Sequence, residues 1–486
     1  MKKKKIFLIL ILVSVFSFMS PVFAKEDLFI EKINEVTVEN NGFWRTPFAN
    51  SYKTSTGGYV VAQENYVYYL DKNNNIIWRY YVGNLNGAYD ILLDGDYVYV
   101  TIGKECRVEA GKRIETEDGV QDSEKPEMPR EEVSHKGDNK TDEVASPLYK
   151  TVKLKLSNGS VVKTNSNIYG VRIEKVGNYY AIVSYDSIVL MDANLNYVND
   201  VSTGYCIAGM TVRDNLISVI NTDNKIIVFD QSLNSVSTKN ITNFDWLVST
   251  KDAKTFLTDG TNHYTVNFGV YKFDASGRFS ELLSSEYDAA TEVDSLGYFA
   301  GDIIGGYFFI AGTDYRGETP TVFVNVYDKD FNYLQSINVG SDTNNITVKN
   351  LYKTSSGFTV KWVTGSDDTL HVSDYSVKFN ITTEVQGEGT VDVIGSAFAG
   401  EAVSFKVTPK KGYLVLRVTI TDADGNSVVY EDVDSDYVFT MPNSDAKVTV
   451  QFAKNPLTSS GVWYTLLGLG VLGGVTYFFR KKKVNN

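Results

Sequence analysis

The sequence predicts an all-β body: a β-propeller of seven blades, then a small second β domain and a single C-terminal apolar helix. Three observations predict it. Short apolar, β-branched and aromatic runs alternate with Asn, Gly and Asp turns, and hardly any stretch keeps a helical period. A strand followed by an Asp-led turn recurs along the first two thirds of the chain, and the pattern changes near residue 379.

The ends come first in chain order. Lys2 to Lys5 form a basic start, Ile6 to Phe18 an apolar run, and Val22-Phe23-Ala24 a small-residue step. This is the pattern of a secretory leader, residues 1–24, cut between Ala24 and Lys25. At the far end Val462 to Phe479 carries no charge and as a helix would cover about 27 Å of hydrocarbon. Arg480, Lys481, Lys482 and Lys483 follow at once, which places the tail 480–486 in the cytoplasm and the body outside. Those two ends hold eight of the 47 basic residues and none of the 59 acidic ones, so the body carries a net charge of −20. Such a body repels phosphate backbones, which excludes nucleic acid as a partner.

Within 25–378 the repeated unit reads Leu70-Asp71-Lys72-Asn73, Leu156-Ser157-Asn158-Gly159, Met191-Asp192-Ala193-Asn194, Phe229-Asp230-Gln231-Ser232, Phe273-Asp274-Ala275-Ser276-Gly277 and Tyr327-Asp328-Lys329-Asp330. The spacings of 86, 35, 38, 44 and 54 residues centre on one four-stranded blade once two insertions are allowed. Each such turn is expected to join the third and fourth strands of a blade. There Asn and Gly supply positive φ, and Asp bonds backbone amides. The repeated Asp is therefore a structural residue. Thr347 to Tyr352, Gly357 to Val363 and Thr369 to Ser373 supply strands of a last blade, which Leu28 to Thr37 can close from the other end of the chain. Six or eight blades also fit the spacing. Residues 104–146 hold 8 basic and 13 acidic residues, two prolines and no aromatic ring, so they are expected to be a disordered charged insertion.

With Leu70-Asp71 and Trp78, the first blade resembles quinoprotein-like and WD40-like bacterial propeller repeats. The later blades lack the equivalent tryptophan, so no quinone is implied and no cofactor is expected. From Phe379 to Ala453 the order Gly387-Glu388-Gly389, Ala399-Gly400-Glu401, Val407-Thr408-Pro409, Lys411-Gly412-Tyr413, Asp424-Gly425 and Phe439-Thr440-Met441-Pro442 resembles the B-repeat of internalin-type surface proteins. That resemblance implies a compact β module that spaces other domains off the cell. Asp422, Asp424, Asp432, Asp434 and Asp436 could attract calcium, but turn chemistry accounts for them and no metal site is assigned. In the linker 454–461, Asn455-Pro456-Leu457-Thr458-Ser459 resembles a divergent sortase signal. It implies cleavage after Thr458 and transfer to peptidoglycan, with a permanent membrane helix at 462–479 as the alternative.

Cys106 and Cys206 leave a disulfide open in an oxidising compartment. His135, His263 and His371 stand in no catalytic constellation, and no Ser-His-Asp order or phosphate loop occurs. No catalytic residue is assigned. The expected role is non-catalytic: a cell-surface protein, anchored to plasma membrane or wall, that offers its propeller to an extracellular protein or carbohydrate ligand. A propeller hydrolase or lyase and a bare envelope spacer are the alternatives.

Overall fold

The computed structural model describes residues 28–38, 51–63, 66–73, 75–83, 88–103, 149–241, 255–288, 293–343, 345–365, 369–433 and 436–455. The leader with Ala24 and Lys25, the insertion 104–146, Pro456 to Ser459, the run Val462 to Phe479 and Arg480 to Lys483 lie outside them. Among the described residues all regular structure is strand, and no helix is long and apolar enough to cross a membrane. The chain divides into two units, one holding 31–375 and the other 28–30 with everything from 376 onward.

The first unit contains seven antiparallel sheets among the described residues. Those at 51–81, 88–165, 172–202, 207–240 and 255–283 are four-stranded meanders whose strands lie in chain order. The sheet at 286–341 has five strands, because the short Glu286–Asp288 is added ahead of Val293–Ile304. The last sheet takes Ile346–Lys353, Gly357–Thr364 and the start of Leu370–Gln386, and Phe29–Val38 pairs onto it from the other end of the chain. The first strand of each four-stranded run neighbours the first strand of the next.

Apolar packing between successive sheets explains why the second strands read as unbroken apolar runs. Tyr97–Gly103 is buried at nearly every position, while the outermost Tyr197–Ser202 is exposed at nearly every one. A middle strand has a neighbouring sheet on both faces and an outer strand does not. Val98, Val100, Val152 and Leu154 of the second sheet pack with Val60, Val67 and Trp78 of the first. Burying each aliphatic side chain there contributes about 1.5–3 kcal/mol before entropy. The series closes on itself: Tyr59 and Val61 of the first sheet pack with Val363, Leu370 and Val372 of the last, and Lys361 Nζ donates to the Ala62 carbonyl at 2.8 Å. This is a propeller-like ring.

The Asp-led turns sit between third and fourth strands, and their geometry repeats. In the turn at Asp192, Oδ1 accepts the amides of Asn194 and Asn196 at 2.8 Å, and Oδ2 accepts the Asn196 side chain. Asp71, Asp230 and Asp328 do the same with their own Asn four residues on. Asp274 uses the amides of Ser276 and Arg278. One expectation is corrected here. The left-handed position of these turns is held by Leu195 (φ 58°), Leu233 (φ 66°) and Phe331 (φ 63°) as well as by Gly277. Leu195 and Leu233 are buried and Phe331 stacks on Tyr327 at 4.5 Å, so packing offsets a backbone conformation that ordinarily favours Gly or Asn.

In the second unit Ile381 to Gln386 runs parallel to Ala446–Lys454, which pairs antiparallel with Tyr413–Asp422. A second sheet orders Gly389–Asp392, Ala402–Pro409, Asp436–Thr440 and Tyr430–Val433. Val403, Phe405 and Val407 alternate inward as their spacing predicts. A side chain at Gly389 would run into the Phe452 ring at 2.3 Å, so only glycine fits beneath it. Asp422 accepts the Asn426 amide and side chain, and Gly425 takes φ 84°.

Candidate functional site

Up-and-down connectivity gives the ring two unlike sides. The Asp-led turns and the links between first and second strands share one side. The hairpins between second and third strands, with the links from sheet to sheet, share the other. On the Asp-turn side three of the turns are locked to the sheet before them. Trp78 Nε1 donates to the Leu156 carbonyl at 2.6 Å, and its ring leaves no room for a side chain at Gly159. Asn165 donates to the Leu195 carbonyl and Asn199 to that of Ser232. The sequence shows one docking tryptophan; two further junctions use asparagine amides, which no sequence signal separates from ordinary turn asparagines.

The innermost strands carry ionisable groups that sequence spacing did not bring together. Asp90 Oδ2 accepts the Ile173 amide of the next sheet at 3.2 Å, and Glu174 Oε2 accepts that of Val212 at 3.2 Å. Asp302 Oδ2 accepts the Lys353 amide at 2.7 Å. Each of these carboxylates therefore ties its own inner strand to the following one. Burial pushes the Glu174 carboxyl up to about 7, with Arg172 opposing and Asp90 reinforcing the shift, and burial also raises Asp302. Lys361 is pushed down to about 7 by burial and by Lys349. Glu174 and Asp302 are half-buried on the inner strands of their sheets.

A second polar network spans the seam where the N-terminal strand meets the last sheet. His371 Nδ1 lies 2.7 Å from Glu35, with its ring stacked on Trp362 at 4.0 Å. The bond from His371 holds the Glu35 carboxyl down to about 2. Asp374 is buried and accepts from Tyr59, from Thr359 Oγ1 at 2.5 Å and from Lys53 at 3.1 Å. Its charge is satisfied by three donors, as a buried carboxylate requires. His263 is buried with neither ring nitrogen bonded, and burial lowers it to about 4.

The side opposite the Asp-led turns displays aromatic rings. Tyr185 and Phe268 are 53% and 47% exposed at the tips of the third and fifth sheets' hairpins, and Tyr205 is 40% exposed on the link after the third sheet. Tyr66 and Tyr81 pair across the first sheet with ring centroids 5.1 Å apart, and Arg79 lies over Tyr66.

Among the described residues no group of three or more His, Cys, Asp or Glu is placed to hold a metal ion. Cys206 is buried and disulfide-bonded; Cys106 lies outside the described residues. Of the sorting motif only Asn455 is described, and its amide donates to the Gly412 carbonyl at 2.7 Å.

Residues 379–456 match the model of the divergent InlB B-repeat domain. No curated protein matches the chain. Among solved structures it is similar to BamB from Moraxella catarrhalis, at 12% identity and a TM-score of 0.39 over 71% of this chain and 100% of that one. It is also similar to a chain in the crystal structure of the Mitotic Checkpoint Complex, at 11% identity and a TM-score of 0.41 over 70% and 93%.

Proposed function

We propose that this chain is a non-catalytic cell-surface protein that displays a seven-bladed propeller outward and binds an extracellular ligand with it. The observation that carries the reading is the InlB B-repeat match at 379–456, a module of bacterial surface proteins, directly after a propeller-like ring. A binding role is supported by the way Asp90, Glu174 and Asp302 are spent on the amides of neighbouring sheets, which leaves them as strand ties. The B-repeat module spaces the ring from the envelope. The tether is either a sortase bond to peptidoglycan at Thr458 or the helix 462–479, with Arg480 to Lys483 inside.

The test is protease shaving of intact cells. Peptides from 149–375 released without lysis support display, and peptides appearing only after lysis refute it. Mass spectrometry of the mature C-terminus decides the tether: an end at Thr458 means sortase, and recovery of Lys483 means the helix.

A second reading has one observation in its favour. A carboxyl with its pKa near 7 beside a second acid suits general acid catalysis, so a propeller hydrolase acting on glycan or peptide is the alternative. Turnover of an extracellular polymer that Glu174→Gln abolishes without unfolding the ring would establish it.

A further inference from the structure

Eight residues other than glycine adopt left-handed backbone conformations among the described residues: Tyr185, Leu195, Asp214, Asn215, Asn224, Leu233, Phe268 and Phe331. Six have an ordinary explanation. Asp and Asn tolerate this region, while Leu195, Leu233 and Phe331 gain the packing described above. Of the other two, Phe268 (φ 58°) sets its ring edge-on to Phe299 at 5.4 Å and its carbonyl accepts the Tyr298 amide at 3.0 Å, so Tyr185 (φ 59°), 53% exposed at a hairpin tip, is the one without such packing. Tyr185 is the first of the two residues between Ser184 and Ser187, a place where glycine or asparagine would relax the chain. Both tips are on the side opposite the Asp-led turns. An exposed aromatic held in this conformation without packing of its ring marks a side chain kept for contact.

The surroundings of Tyr185 say what kind of contact. Its carbonyl accepts the Ile207 amide at 3.1 Å, which brings the link bearing Tyr205 alongside. Between the two tyrosines Thr203 Oγ1 donates to the Asp186 carbonyl and lies 2.8 Å from that of Tyr205. The Asp186 carboxylate is bonded by two neutral hydroxyls, Ser187 at 2.9 Å and Ser202 at 3.0 Å, so its charge meets no cation there. On the far side the Lys225 ammonium already lies 6.0 Å from the Tyr205 ring centroid, paired with Asp223. Two exposed tyrosines on adjoining backbone and a carboxylate without a cationic partner, on a body of net charge −20, suit a planar cation.

We infer that this side of the ring, centred on Tyr185, Asp186 and Tyr205 with Phe268 as an outlying anchor, docks a basic polypeptide through an arginine. The guanidinium stacks on tyrosine and pairs with Asp186, and the aromatic rings supply the apolar contact typical of interface hot spots. The inference deepens the binding role proposed above and rests on it.

The test is titration of the full chain in detergent micelles with three probes: an alternating Arg-Gly decapeptide, its Glu-Gly counterpart and a neutral cello-oligosaccharide. Saturable binding of the Arg-Gly peptide alone is expected. Tyr185→Asn, Asp186→Asn and Tyr205→Ala should each weaken it at least tenfold. Tyr185→Asn should melt at or above the parent's temperature, because it relieves the backbone while removing the contact. Undiminished peptide binding in Tyr185→Asn, preference for the saccharide, no binding of the basic peptide, or a clear loss of thermal stability in Tyr185→Asn would each overturn the inference. Failure of surface shaving would leave this result standing, and failure here would leave surface display standing, so the two readings fail separately.

Discussion

Replacing Asp328 by alanine separates the structural reading of the repeated aspartate from any other. Asp328 is 6% exposed, and its Oδ1 accepts the amides of Asp330 and Asn332 at 2.9 Å, with Asn332 Nδ2 on Oδ2 at 3.1 Å. Removing a charged acceptor costs about 1.5–3 kcal/mol per bond in a protected site and less where water replaces it. With two amides stranded in a shielded turn the expected loss is about 3 kcal/mol. Asp71 makes the same bonds in the open, where water substitutes at once, so Asp71→Ala should cost clearly less. Asp328→Asn keeps an Oδ1 for both amides and should recover most of the loss. Urea unfolding followed by near-ultraviolet circular dichroism at neutral pH reads all three variants against the parent. An Asp71→Ala loss equal to that of Asp328→Ala, or an Asn variant no better than Ala, would refute the assignment of the energy to shielded amide bonds.

Three further outcomes follow from the same structure. Glu174 has its pKa raised to about 7, so its contribution is fully present below the unfolded value near 4.5 and is lost as pH rises through 7. Glu174→Gln should therefore gain up to about 3 kcal/mol over the parent at pH 8 and little at pH 4.5, measured as the difference in melting temperature. His263 is lowered to about 4, so the fold is at full strength above pH 6.5 and loses up to about 3 kcal/mol as pH falls through 4. His263→Phe should flatten acid unfolding in that window, and an unchanged profile would count against a buried neutral imidazole. At the first junction Trp78→Ala and Gly159→Ala should each destabilise the ring. The double variant should be better than the sum, because the clash at 2.7 Å disappears with the indole; additive losses would show the two do not meet.

The sequence makes the Asp-led turn legible because its chemistry is local. An aspartate side chain reaches amides two and four residues ahead only in one tight hairpin, so residue type and spacing together report the geometry. The same locality made the second unit readable. Gly389 under Phe452 and the inward alternation of Val403, Phe405 and Val407 are short-range constraints that leave a fixed order of residues. The left-handed residue inside the turn departs from the sequence expectation for the complementary reason. Asparagine and glycine are the intrinsic choices there, but Leu195 and Leu233 pack with residues of the preceding sheet and Phe331 stacks on Tyr327 and Phe308 of its own.

The clustered carboxylates and the exposed aromatic rings escape the sequence for one further physical reason. Asp90, Glu174 and Asp302 belong to strands more than 80 residues apart at each step, and only closure of the ring brings their fields together. The 32 tyrosines and 26 phenylalanines look alike in composition, yet the ring separates those that fill the spaces between sheets from a few that stand in water, such as Tyr185, Tyr197 and Tyr333. Tyr59, Tyr89 and Tyr99 are wholly buried and need no further account. Tyr185 and Phe268 are separated from them by the sign of φ, which no residue pattern encodes when the tolerant residues are absent. Packing offsets the left-handed backbone at Leu195, Leu233, Phe331 and Phe268, whereas the Tyr185 side chain has no such packing, and local propensity alone tells none of these five positions apart.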